Sequence, residues 1–140
     1  MQNIYGSCVS LNDKGILILG KSGMGKSDLC LRLIMERQAR LVADDRVEIM
    51  LEDDRLYAHF VPSLAGLLEV RGVGLIPFPY QEKSTVDMVV ELKEKPQNIE
   101  RLPEPSFFEY MGLKIPKINL YALEPSAVHK VCLLYTSDAA

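Results

Sequence analysis

A chain of 140 residues with 48% hydrophobic and 25% charged side chains is long enough for one domain with a buried core, and its net charge of −3 argues against nonspecific DNA or RNA binding. It has no tryptophan and few aromatics, so it offers no stacking platform for single-stranded nucleic acid, and no apolar run reaches the length of a membrane span. Cys8, Cys30 and Cys132 lie far apart, with neither CxxC metal spacing nor a disulfide framework, which points to a reducing cytoplasm.

The chain begins "MQNIYGSCVS", without a signal-peptide pattern. "GSCVSLNDKGILILG" predicts two short strands around a turn at Asn12-Asp13-Lys14-Gly15. Ile16 to Leu19 is continuously apolar, as in a strand buried on both faces. From Lys26 the period changes. Leu29, Cys30, Leu33 and Ile34 recur at helical spacing, predicting a helix from about Lys26 to Gln38. "RLVADDRVEIML" then predicts one further strand, completing a parallel βαβ unit with a right-handed crossover.

"EDDRLYAHFV" reads as a polar turn flanked by strand residues, and "LAGLLEVRGVGLIPF" as a strand with a glycine-rich connection. "TVDMVVELKE" predicts a strand and "KPQNIERLPEPS" a loop. "FFEYMGLKIPKINLYAL" predicts one or two late strands, Pro116 marking an edge position. "CLLYTSDAA", from Cys132, is similar to the translation of a DNA-library adapter, so 1–131 is expected to be the domain and 132–140 a non-native tail.

Three sets of residues carry chemistry. "GKSGMGKS" fits G-x-x-x-x-G-K-[ST] over Gly20, Lys21, Ser22, Gly23, Met24, Gly25, Lys26 and Ser27. Small residues let the loop curl its N–H groups toward phosphate oxygens, and the helix that follows adds its positive end. Lys26 is expected at the β- and γ-phosphates of ATP and the Ser27 hydroxyl at Mg²⁺. The strand before the loop and the amphipathic helix after it are the context this motif needs.

"LVADD" supplies Asp44 and Asp45 after an apolar run, 18 residues beyond Lys26. Adjacent side chains in extended backbone point to opposite sides, so one carboxylate can face the metal and the other an acceptor hydroxyl. The third set, "GLLEVRGVGLI", holds Glu69 and Arg71. A charge buried in such a strand needs a partner or a metal, but an alternating strand with both residues on its exposed face fits equally well.

The P-loop, "LVADDRVEI" and "LAGLLEVRGVGLI", in this order and at these separations, resemble the catalytic domain of the HPr kinase/phosphorylase family, and more closely the short alphaproteobacterial form without an N-terminal domain. The likeness runs from about Ile4 to Val131. It implies an α/β P-loop domain with a mixed β-sheet around the phosphate-binding strand–loop–helix unit. The implied activity is transfer of a phosphoryl group from ATP to a serine of the phosphocarrier protein HPr, with reversal by phosphorolysis. The resemblance makes Asp44 the catalytic acid/base and places Asp45, with Ser27 and Glu69, at the metal. Arg71 shapes the site and Arg101 of "ERLP" meets the transferring group. It also implies a homo-oligomer, a hexamer in relatives.

Two positions depart from the family. Where it has a histidine beside the catalytic aspartate, this chain has Tyr5 in "IYGSCV". A phenol can donate a hydrogen bond to Asp44 but brings no cation near neutral pH. Gln38 stands where relatives end the helix with glycine, while His59 and His129 read as surface or structural. Two other readings remain: a P-loop kinase or ATPase acting on small molecules, and a nucleotide-binding regulator that has lost turnover.

Overall fold

The computed structural model describes residues 2–138, with side chains as far as Leu134. Strands β1 (Gln2–Tyr5), β2 (Ser7–Leu11) and β3 (Lys14–Leu19) precede helix α1 (Lys26–Arg37). Then come β4 (Arg40–Ala43), β5 (Arg46–Glu52), β6 (Arg55–His59), β7 (Leu67–Val70), β8 (Gly74–Pro77), β9 (Lys83–Leu92), β10 (Ser106–Tyr110), β11 (Leu113–Leu120) and helix α2 (Ala127–Asp138). The main sheet runs β1-β5-β6-β9-β3-β2-β4, with β11 on β9 and β10 on β11. It is mixed: β3 and β11 run parallel to β9, while the other pairs are antiparallel.

The long strand β9 is the trunk. Its start pairs β6 and its end pairs β11, while β3 lines its other edge. Ile16 and Ile18 face a core built with α1 and α2, and Leu17 faces a second core with Val47, Ile49 and Leu56. That is why Ile16–Leu19 reads as an unbroken apolar run. On α1 the fully buried Leu29 and Leu33 each stabilise the fold by about 2 kcal/mol. At Gly15 an added Cβ would stand 1.8 Å from the Thr85 carbonyl, so only glycine lets β3 lie this close to β9.

The Asn12-Asp13 turn joins β2 and β3 with φ of 50° and 66°, as a two-residue hairpin requires. Asp53-Asp54 does the same between β5 and β6. Pro116 lies one residue before β11 gains its second neighbour at Lys117, where no ladder N–H is called for.

Two expectations are corrected, and one element is new. The stretch read as one strand after α1 is two, β4 and β5, broken at Asp44-Asp45. The βαβ unit is split, because β2 lies between β3 and β4 and pairs antiparallel with both. Helix α2 has no counterpart in the sequence reading. It spans Ala127–Asp138 and buries Ala127, Val128 and Val131; Ala139 and Ala140, in the expected tail, lie outside the described residues.

Candidate active site

Residues Gly20–Gly25 link β3 to α1 with Lys21, Ser22 and Gly23 exposed. Gly25, at φ 96°, precedes the first helical residue, a backbone conformation that side-chain-bearing residues rarely adopt. Lys26 opens the helix and folds back over the loop. Its Nζ donates to the carbonyls of Gly20 at 2.7 Å and Lys21 at 3.1 Å, and the residue is buried.

Ser27 Oγ donates to Asp44 Oδ1 at 2.9 Å. Ser7 Oγ donates to the same oxygen at 2.9 Å and accepts the Asp45 N–H at 3.4 Å. Ser7 is fully buried at the start of β2, and its role was missed in the sequence. A serine in a strand carries no signal until its neighbour across the sheet is known.

The two acids are not in extended backbone. The Arg46 N–H bonds the Asp44 carbonyl at 2.8 Å, with Asp45 between them at φ 71°. This is a γ-turn with positive central φ, rare and strained by about 1–3 kcal/mol. It aims Asp44 at Ser27 and leaves Asp45 exposed. The resemblance makes Asp44 the acid/base and places Asp45 with Ser27 at the metal; in the structure the Ser27 hydroxyl donates to Asp44, and the turn replaces the alternation assumed for a strand.

No hydrogen bond joins Tyr5 to Asp44 among the described residues. The Tyr5 ring lies on Lys26 instead, with Nζ 4.2 Å from the centroid. Glu69 and Arg71 sit on the β7–β8 hairpin, exposed, and Arg101 lies exposed in the loop before β10. None of the three side chains has a hydrogen bond or ion pair among the described residues; Glu69 lies on β7 and Arg71 in the turn that follows it. His59 Nδ1 contacts the Phe60 carbonyl at 3.1 Å, and His129 is exposed on α2.

Beneath the site, burial raises the Cys30 thiol well above its ordinary range, and the Asp44 carboxylate adds to the effect. Cys8 is pushed up to about 12, again mainly by burial, so both thiols stay protonated at neutral pH. Beside the loop, at the carboxyl ends of β3 and β9, a cleft of about 450 Å³ is lined by Gly20, Lys21, Met24, Glu91 and Lys93. Strand ends of this kind are where open α/β sheets bind ligands.

A hydroxyl beside a carboxylate is an oxygen-only donor set, the chemistry that suits a hard cation such as Mg²⁺. Among the described residues no three His, Cys, Asp or Glu side chains converge. No helix among them is long and apolar enough to cross a membrane.

The family model described as HPr Serine kinase C-terminal domain matches residues 1–132. The HPr kinase/phosphorylase of Thermoanaerobacter sp. (strain X514) is 32% identical over 128 residues, covering 84% of this chain and 42% of that protein. That of Mycoplasma mycoides subsp. mycoides SC is 36% identical over 132 residues, covering 86% and 40%. The chain thus spans about two fifths of the length of the curated relatives it matches. The solved structure of the Hpr(Ser) kinase/phosphatase from Coxiella burnetii superposes with a TM-score of 0.80 at 23% identity, over 99% of this chain and 94% of that one, and so shares the fold.

Proposed function

The chain belongs to the HPr serine kinase C-terminal domain family, and from that membership we propose that it transfers the γ-phosphoryl group of ATP to a serine hydroxyl of HPr, reversing the step by phosphorolysis. The observation that carries the reading is the Ser27–Asp44 hydrogen bond beside Lys26. It joins the phosphate loop to the acid turn across 17 positions and leaves the second acid exposed.

Lys26 and the loop amides hold the β- and γ-phosphates. Ser27 and Asp44 would hold Mg²⁺, which would supply charge neutralisation on the phosphates. The serine oxygen forms the new P–O bond as the bond to the ADP oxygen breaks, and its proton passes to a carboxylate. Asp45, presented outward by the turn, is the carboxylate an approaching protein can reach. In phosphorolysis an oxygen of inorganic phosphate bonds to the phosphorus of phosphoserine as the P–O bond to the serine breaks, so that pyrophosphate is the product and the serine oxygen takes the proton back from the carboxylate. Catalysis of this kind rests on positioning and charge more than on covalent chemistry. Roles for Glu69 at the metal and Arg101 at the moving phosphoryl group rest on the family resemblance. So does assembly into a hexamer, while a cytoplasmic location rests on the cysteine pattern.

Intact-mass analysis of HPr after incubation with the chain, ATP and Mg²⁺ tests the proposal. One added phosphoryl group is expected, absent with Asp45→Asn and lost again on adding inorganic phosphate. No addition, with ATP binding intact, would instead make the chain a nucleotide-binding regulator.

A further inference from the structure

Tyr5 is the last residue of β1 and 51% exposed, yet its ring covers a buried cation. Lys26 is only 6% exposed, and its ammonium is held by the Gly20 and Lys21 carbonyls and by the Tyr5 ring. An ammonium has three N–H donors, and the carbonyls take two. The ring attracts the charge as a whole through its quadrupole. The third donor goes to no carbonyl, and the nitrogen, held by two carbonyls and the ring, is shielded from water, where its attraction for an anion is strengthened.

The placement of the ring is tied to the rest of the site. Tyr5 pairs with Arg46 in the β1–β5 ladder. The N–H of Gly6 bonds the Asp45 carbonyl at 3.2 Å, and Ser7 holds Asp44. Three consecutive residues thus grip three parts of the site: the loop lysine, the turn backbone and the carboxylate at Ser27.

We infer that Tyr5 is a positioning residue for Lys26: its uncharged ring sets the ammonium for the pyrophosphate portion of a nucleotide, or for pyrophosphate itself, without joining the transfer step. The inference rests on the phosphate-binding reading above. It gives Tyr5 a different duty from one at the acid pair, because it is the lysine that the ring meets.

The test is the affinity of the full chain for Mg²⁺-pyrophosphate and Mg²⁺-ATP, by calorimetry, in three forms. Tyr5→Leu keeps apolar bulk but removes the ring, and is expected to weaken both ligands about three- to tenfold. Tyr5→Phe keeps the ring and is expected to restore affinity to within about twofold. The side chain is half-exposed at a strand end, so thermal unfolding serves as the control and is expected to stay unchanged. In turnover, the loss appears in KM for ATP and not in kcat. Tyr5→Leu binding as tightly as the unaltered chain, or more tightly, overturns the inference. So does failure of Tyr5→Phe to restore binding, which would give the role to the hydroxyl. No binding of either ligand by the unaltered chain overturns the phosphate reading of the loop itself, and this inference with it.

Discussion

Ser7 Oγ stands 2.9 Å from Asp44 Oδ1, joining the first residue of β2 to the residue just beyond β4. The same hydroxyl accepts the Asp45 N–H, so one buried group fixes both the carboxylate and the turn that carries it. Ser7→Ala removes a donor to a charged acceptor and leaves the Asp45 N–H without this partner. The expected cost is about 1–2 kcal/mol in stability, read as a lower urea midpoint. Phosphoryl transfer is expected to fall about tenfold, equivalent to about 1.4 kcal/mol of lost positioning. A Ser7→Ala chain with unchanged kcat and KM would show that Ser27 alone suffices to orient Asp44.

Asp45 adopts φ 71°, which glycine takes without strain and other residues do not. Asp45→Gly therefore relieves the turn while making the unfolded chain more flexible. The net expectation is a gain of about 0.5–1 kcal/mol. The same change removes the carboxylate proposed to take the serine proton, so transfer to HPr is expected to fall at least about a hundredfold with nucleotide affinity retained. Raised stability with lost activity would mark the strain as serving function. Full activity in Asp45→Gly would give the proton transfer to Asp44.

The fold was legible where local pattern decides it. The apolar run of β3, the helical period of α1 and the two-residue turns each announce themselves within a few residues. The loop between β3 and α1 was legible for the same reason, since Gly20 to Ser27 are consecutive. What could not be read was non-local. Nothing in "LVADDRVEI" says that the backbone reverses its φ at Asp45, because the hydrogen bonds holding it come from Gly6 and Ser7. The insertion of β2 between β3 and β4 and the duty of Tyr5 have the same origin: each depends on which strands meet. Helix α2 went unread because its buried residues, Ala127, Val128 and Val131, gain an apolar face only against α1 and the sheet.

Gln38 ends α1 at φ 60°, with its N–H bonded to the Ile34 carbonyl at 3.1 Å. This is the left-handed position helices commonly fill with glycine. Gln38→Gly is expected to stabilise the chain by up to about 1 kcal/mol, raising the unfolding temperature by about 2–4 °C. The residue is exposed and outside the site, so nucleotide affinity is expected to stay the same. A fall in stability would mean that the unfolded-state entropy of glycine outweighs the relieved strain.

Glu91, at the cleft beside the phosphate loop, lies between two ammonium groups, Lys93 Nζ at 2.5 Å and Lys117 Nζ at 3.4 Å. The bond from Lys93 is the main cause that holds its carboxyl below the ordinary range, with Lys117 adding to it against partial burial. A lowered folded-state value means the ionised form is favoured by folding. The stabilisation is therefore fully present above the unfolded value near 4.3 and is lost as pH falls through the lower folded one. The group is partly exposed, so the expected worth is below about 1 kcal/mol. Urea midpoints of the unaltered chain and Glu91→Gln should differ by that amount at pH 7 and converge as pH falls below 4. A gap that persists in acid would assign the loss to packing of the side chain along β9 and β11 and not to its charge.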